Sequence, residues 1–157
     1  MDKLRFDLEY EWQPFKVEGR HLTFAEHQET RLFRKQCSHW GAAIYKWEGK
    51  LTRGEHMGEV GILIGETGDI RQRIKQYIKG TQKSGNLYWR KNFLLNGDIL
   101  LYVLKLYSAT FGTEFNSTVL DLQDFSSGNR RVVYEQLLVM NQVALNRPDS
   151  WVVNRKL

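Results

Sequence analysis

The chain has 157 residues, 41% of them hydrophobic and 13% aromatic, so it is long and apolar enough to fold as one domain around a real core. Its net charge of +5 favours polyanions as partners through counterion release. The single cysteine, Cys37, excludes an internal disulfide, and no stretch approaches the roughly 18 apolar residues that span a bilayer. No amino-terminal apolar run resembles a signal peptide, so we expect a cytoplasmic protein with no membrane partner.

The amino-terminal part of the chain predicts an extension to the domain. Residues 1–20 mix charged and aromatic side chains without a clean period, and we expect an irregular or short-strand segment there. Thr23 and Glu26 match a capping box, which predicts a helix from Phe24 to about Gln36.

Strand and helix signals alternate through the middle of the chain. Apolar runs at 41–48 and 59–64 predict two strands that pair antiparallel, joined by a charged connection. A helix is predicted at 69–79, where Ile70, Ile74, Tyr77 and Ile78 share one face, and a second helix at 86–95. Residues 98–107 form the strongest strand pattern in the sequence.

The last third of the chain predicts one long helix. Residues 110–127 are polar and rich in turn formers, and we expect an irregular insertion there. A helix follows at about 129–145 and ends before Pro148, and 151–154 form a last extended segment.

This order of elements predicts a small α+β domain with an antiparallel sheet and flanking helices. We divide the chain into an N-terminal extension, residues 1–40, and a domain formed by residues 41–157.

The segment from Gly65 to Lys75 (GETGDIRQRIK) carries the strongest functional signal. The chain leaves a buried strand through a glycine turn and enters a helix that bears Arg71, Arg73 and Lys75. Guanidinium groups grip phosphate oxygens by paired hydrogen bonds, so this platform suits a phosphate and indicates nucleic acid as the partner.

On this scaffold the sequence resembles the GIY-YIG nuclease family. The first motif corresponds to Ala43-Ile44-Tyr45, and the second to Leu63-Ile64-Gly65, where leucine replaces the family's second tyrosine. Arg73 matches the arginine of the helix that follows the second motif. Glu135 lies in a segment similar to the helix that supplies the metal-binding glutamate, and Asn154 matches a late asparagine.

The resemblance implies a β-β-α-α-β-α core and a metal-dependent endonuclease. In that interpretation Tyr45 is the general base, Arg73 clamps the phosphate, and Glu135 binds one Mg²⁺ or Mn²⁺ ion. Tyr77 takes a position where some members place a histidine, and Asn154 orients a phosphate or a water molecule. The alternative, motivated by Leu63, is a nucleic-acid-binding module that kept the fold and lost the chemistry.

Each of these residues also has an ordinary structural explanation. Tyr45 and Tyr77 can be core aromatics. Glu135 can form an ion pair with Arg131, four residues earlier on the same helix. Asn154 can belong to a turn or a fraying chain end.

Basic residues on the two middle helices are candidates for backbone contacts with nucleic acid, and solvated helix faces are the alternative. We expect DNA as the partner, with RNA as the alternative, and cleavage of both strands of a duplex would favour a dimer. The candidate nucleic-acid-binding residues are Arg71, Lys75, Lys79, Arg90 and Lys91.

Overall fold

The structure is a computed structural model, and it describes residues 1–25, 34–79, 85–113, 115–120, 124–145 and 147–154, with the backbone alone for 85–89. Most of the helix predicted from Phe24 to Gln36 therefore lies outside the described residues. The described residues at its two ends, 24–25 and 34–36, are not α-helical.

The described chain contains eight strands and three α-helices. In chain order they are β1 (Leu4–Pro14), β2 (Lys16–Val17), β3 (Arg20–His21), β4 (Ala43–Lys50), β5 (Val60–Thr67), α1 (Ile70–Lys79), α2 (Gly85–Leu95), β6 (Leu100–Thr113), β7 (Asn116–Val119), α3 (Gly128–Leu145) and β8 (Ser150–Val152).

The main sheet has six strands in the order β1-β6-β4-β5-β8, with β7 also paired to β6, and it curls into a half-barrel. Strands β2 and β3 form a separate two-stranded sheet. The predicted α+β class and the antiparallel pairing of β4 with β5 are confirmed. The prediction of a purely antiparallel sheet is wrong, because β8 returns after α3 and joins β5 in parallel.

The N-terminus is a long strand of the main sheet, where the sequence predicts an irregular or short-strand segment ahead of a helical extension. Strand β1 pairs with β6 from Leu4 to Pro14, with a bulge between Glu9 and Tyr10. The sequence signal for it is present, since apolar side chains alternate with charged ones from Leu4 to Trp12. One row of side chains packs on the core below α3, and the other row faces solvent.

The segment that follows the central strand is also more regular than predicted. Strand β6 continues to Thr113, and Asn116–Val119 pairs back onto it, so part of the predicted irregular insertion at 110–127 is a hairpin. Thr110 and Phe111 are good strand formers, and β1 provides a partner strand that the sequence does not reveal locally.

The two faces of the sheet bury separate clusters. One face holds the side chains of β4 at Ala43, Tyr45 and Trp47 and packs on α1 and α2. The other face holds Ile44 and Ile62 and packs on α3. The alternation along β4 is therefore the one that the sequence predicts.

The two faces meet at one end of β5. Within the described chain, β8 pairs with β5 only from Val60 to Ile62. Beyond Ile64, which Asn154 bonds, no strand of the described residues pairs with this side of β5 toward Thr67. Side chains from α1 and α2 on one face and from α3 on the other can therefore approach each other around this edge, and the candidate site lies there.

Candidate active site

The start of α1 is defined by a local hydrogen-bond arrangement. The Asp69 carboxylate accepts hydrogen bonds from the backbone N–H groups of Arg71 at 2.9 Å and Gln72 at 3.2 Å, as an N-cap residue does. The backbone N–H of Ile70 donates to the carbonyl of Gly41 at 2.9 Å. These contacts fix where the helix begins. Arg73 and Tyr77, four residues apart, then lie one turn apart on it.

Tyr45 and Tyr77 form the centre of the site. Their hydroxyl oxygens are 2.8 Å apart, and the two side chains are 1% and 0% exposed. Burial raises the pKa of Tyr45 well above its usual range, the neighbouring Tyr77 adds to the rise, and the nearby Arg73 opposes it. The Tyr45 phenol is therefore neutral at pH 7 in the free protein. Both tyrosines are core residues, as the structural alternative holds, and they still touch the candidate site.

Gly65 is required for this arrangement. A Cβ atom at this position would lie 2.4 Å from the Tyr45 ring carbon Cζ and from its hydroxyl oxygen. Tyr45 and Gly65 are also direct partners in the β4–β5 register. The glycine of the second motif therefore provides the space for the tyrosine of the first.

Arg73 lies near both Tyr45 and Glu135. Its side chain is half-buried, and its Nε is buried without a hydrogen-bond partner among the described residues. It is close enough to influence the pKa of both Tyr45 and Glu135. A buried guanidinium N–H without a partner is costly unless a ligand supplies an acceptor.

Glu135 contributes the negative charge of the site. Burial raises the pKa of its carboxyl group, and the neighbouring Glu66 also raises it, although Arg90 and Arg73 act in the opposite direction. Glu135 forms no salt bridge and no hydrogen bond with the described part of the chain. A half-buried carboxylate in this state is a suitable ligand for a hard cation.

The structural alternative for Glu135, an ion pair with Arg131, does not hold. Arg131 Nε donates to Glu66 at 2.7 Å instead, and its Nη1 donates to the carbonyl oxygens of Phe125 and Ser126. The guanidinium thus joins β5 to the segment before α3. Arg131 is bound elsewhere, and the Glu135 carboxylate has no ion-pair partner among the described residues.

Arg90 completes the cluster. It lies near Tyr77, Tyr45 and Glu135. Burial acts to lower the pKa of Arg90, but Tyr77, Tyr45 and Glu135 together raise it above its ordinary value. We predict Arg90 from sequence only as a surface contact for nucleic acid, because the contact between α2 and α1 has no local sequence signal.

The other basic candidates lie in different settings. Arg71 is 2% exposed, and its guanidinium stacks on the Trp40 ring at 3.7 Å, so it does not belong to a solvated helix face. Lys91 Nζ donates to the Ile78 carbonyl at 3.2 Å. Lys75 is half-buried and Lys79 is exposed.

Asn154 has a backbone partner. Its Oδ1 accepts from the Ile64 N–H at 2.8 Å, and its Nδ2 donates to the Ile64 carbonyl at 2.6 Å. The amide thus continues the β8–β5 pairing beyond the end of β8. Asn154 lies in a turn, as the structural alternative allows, and both groups of its amide bond the backbone of Ile64.

Leu63 lies in the core and not at the site surface. It is 1% exposed and faces Trp47 in the β4–β5 register. The position that would carry the second tyrosine hydroxyl of the family is therefore apolar here.

The residues fit a single hard cation with one protein ligand. The described chain contains no group of three or more His, Cys, Asp and Glu side chains that could hold a metal ion. Among the described residues of the cluster, Glu135 is the carboxylate without a salt bridge or hydrogen bond, since Glu66 is bound to Arg131. Water and substrate oxygens would have to complete the shell, which is the usual situation for Mg²⁺.

Comparisons of the chain with protein-family models, curated proteins and solved structures find no match. No helix in the described ranges is both long and apolar enough to cross a membrane.

Proposed function

We propose that the protein is a metal-dependent endonuclease that hydrolyses phosphodiester bonds in DNA by GIY-YIG-type chemistry. The observation that carries this proposal is the Nε of Arg73, which is buried without a described partner on a side chain near both Tyr45 and Glu135. In this proposal the base, the phosphate clamp and the metal ligand come from β4, α1 and α3.

Arg73 binds the scissile phosphate. Its N–H groups offer a planar fork to the phosphate oxygens, and the half-buried setting strengthens the interaction relative to bulk water. The charge that develops on these oxygens in the transition state is stabilised by the same guanidinium.

Tyr45 takes the proton of the attacking water. Its raised pKa makes the phenol a weak participant in the free protein, and the arginines Arg73 and Arg90 favour its ionised form. Cleavage by this route increases with pH while the protein stays folded.

Glu135 holds the divalent ion. When bound, Mg²⁺ or Mn²⁺ would neutralise charge on the leaving 3′ oxygen. The Glu135 carboxylate loses its proton to become a ligand, so metal binding opposes the effect of burial on its pKa.

The proposal is tested by incubating the protein with supercoiled plasmid and with labelled single-stranded DNA and RNA, in Mg²⁺, Mn²⁺ or chelator, across a range of pH. We expect metal-dependent nicking that rises with pH and that falls at least about 100-fold in Glu135→Gln and Arg73→Gln. Lys50→Gln removes an exposed charge at a residue that is neither in the cluster nor among the nucleic-acid-binding candidates, and it serves as the matched control. Unchanged cleavage by a folded Glu135→Gln protein would overturn the assignment.

A second candidate function is a nucleic-acid-binding module without catalysis. Two observations favour it, the apolar core position of Leu63 and the burial of the Tyr45 hydroxyl. This function gives DNA binding that weakens steeply with salt and leaves the strands intact in every metal. Retarded mobility without scission at all pH values would favour it over the nuclease.

A further inference from the structure

The side of α3 that faces away from the sheet is apolar and uncharged. Four apolar side chains on it are between 44% and 49% exposed: Val132, Val133, Met140 and Leu145. The sequence has no Asp, Glu, Lys or Arg from residue 136 to residue 145, which is about three turns of the helix. A solvated helix face normally carries charged side chains, so this surface indicates a contact with another protein chain.

An apolar row on this side has the spacing of a helix–helix contact. Its members follow one another at intervals of four, three and four residues: Val133, Leu137, Met140 and Ala144. This is the spacing of a coiled-coil seam, which keeps one row of side chains toward a neighbouring helix. The opposite side of α3 is already packed, since Tyr134, Leu138 and Val139 lie in the core. The helix therefore has two apolar sides, and the sheet covers one of them.

The polarity of α3 is the same in both directions from its midpoint, which lies between Leu138 and Val139. From residue 132 to residue 145, each apolar or polar side chain has a counterpart of the same kind at the same distance on the other side of that point. On the solvent-facing side the counterparts are Leu137 with Met140, Gln136 with Asn141, Val133 with Ala144, and Val132 with Leu145. In an antiparallel pair of identical helices related by a two-fold axis, such counterparts face each other.

We propose that the solvent-facing side of α3 is a dimer interface, on which α3 of a second copy of this chain packs antiparallel about a two-fold axis. Leu137 then packs on the partner's Met140 near the axis, and the Gln136 amide can bond the partner's Asn141. Both surfaces are uncharged, so two chains of net charge +5 meet here without like charges in contact. A different protein would give no reason for the helix to repeat its own polarity in reverse.

Neighbouring residues define the extent of this interface. Two positions beyond Val132 and Leu145 the counterparts are Arg130 and Arg147, whose like charges end the contact. On one flank, the groove between β1 and α3 continues the apolar surface with Phe6. The 18 residues of α3 are about 27 Å long, which gives an interface smaller than the standard of about 800 Å² per partner. We therefore expect a dissociation constant in the micromolar range.

Dimerisation through α3 is independent of the proposed function. Glu135 is on the opposite side of the helix by helical spacing, near Arg73 and Arg90, so the dimer leaves the candidate site open. In a nuclease, the two sites of such a dimer are related by a two-fold axis, as the two strands of a duplex are.

The test is sedimentation equilibrium of the full chain without DNA or metal, from about 1 µM to about 1 mM. We expect a monomer–dimer equilibrium that Met140→Glu weakens at least about 30-fold, because the variant places an unpaired charge against the partner's Leu137. Met57→Glu is the matched control, since Met57 is 67% exposed in the connection between β4 and β5. It should leave the dissociation constant unchanged.

A mixture of two variants tests the antiparallel register. Leu137→Lys alone should also weaken the dimer, and an equal mixture with Met140→Glu should restore it as a heterodimer, because the introduced charges of opposite sign face each other. If circular dichroism shows that Leu137→Lys does not fold, Val133→Glu and Ala144→Lys are the second pair, since both positions are exposed.

Three results would overturn the inference: a monomer over the whole concentration range, equal dissociation constants for Met140→Glu and the parent protein, or no heterodimer in the mixture. A dimer that cleaves no DNA would reject the proposed function and leave this interface standing. Cleavage by a protein that is monomeric throughout would do the reverse.

Discussion

At the scale of single residues, the site depends on Glu135, whose expected ion-pair partner Arg131 is bound to other groups. Arg131 is the nearest cation to Glu135 by helical spacing, and it is bound to Glu66 and to two carbonyl groups. The Glu135 carboxylate is thus half-buried without a described partner. Such a residue destabilises the folded protein, and its presence is explained if a cation binds there.

Because the pKa of Glu135 is raised, the loss of stability that its half-buried carboxylate causes can be measured as a function of pH. Because the folded pKa is raised above the ordinary value of 4.5, the unfolded chain ionises first as pH rises. The resulting loss in the free energy of unfolding is absent when the pH is below the ordinary pKa, grows as the pH rises through the folded pKa and is complete above it. We expect Glu135→Gln to increase the free energy of unfolding at pH 7 and to have no such effect below about pH 4.5, as measured by urea denaturation at each pH.

Divalent ions should reverse this difference in stability between the parent protein and the Glu135→Gln variant. Mg²⁺ or Mn²⁺ stabilises a folded protein that binds it, by mass action, and Glu135→Gln should lose that stabilisation. Thermal unfolding with and without metal measures the effect independently of DNA cleavage. Equal stabilisation of both proteins by the ion would show that Glu135 is not its ligand.

At the scale of elements, strand β5 and helix α1 form the framework of the site. The Asp69 cap fixes where α1 begins, and Gly65 lets the Tyr45 ring cross β5. This close packing explains why Tyr45 reaches Tyr77 on the helix. The framework is sensitive to small changes in volume at the crossing point.

Gly65→Ala tests this packing. The added Cβ atom would overlap the Tyr45 ring, so we expect a loss of about 1–3 kcal/mol in the free energy of unfolding. Gly68→Ala is the control, because its Cβ atom would meet only an Arg131 nitrogen at 3.5 Å, an ordinary contact. Chemical denaturation of both variants measures the difference, and equal losses would argue against a specific clash at Gly65.

At the scale of the whole molecule, the amino-terminal residues are part of the sheet. Strand β1 pairs with β6 along its length, and its apolar row, which includes Leu8 and Trp12, packs beside the cluster under α3. Removing β1 would expose one edge of β6 and part of this core.

Truncation tests whether the rest of the chain folds without β1. We expect a chain that begins at Phe15 to aggregate or to lose its cooperative unfolding transition, whereas a chain that begins at Leu4 keeps it. Thermal denaturation followed by circular dichroism distinguishes the two. A sharp transition in the shorter chain would show that the domain folds without β1.

Much of the framework can be predicted from the sequence because its signals are local. The face of α1 that carries Ile70 and Tyr77 follows from helical spacing, and the burial of Tyr45 follows from strand alternation. The glycine after β5 also marks the strand-to-helix connection. Strand β1 shows that a real period can be missed, because acidic residues between its apolar ones disfavour a strand interpretation.

The sequence by itself determined the α+β class and the described helices and central strands, and it proposes the residues of a phosphate site. Only the tertiary structure decided which side chains contact each other. It paired Arg131 with Glu66, stacked Arg71 on Trp40, and placed Arg90 near Tyr77. The physical reason is that periodicity and capping act over a few residues, whereas a long side chain chooses among partners that only the packing of distant elements brings within reach.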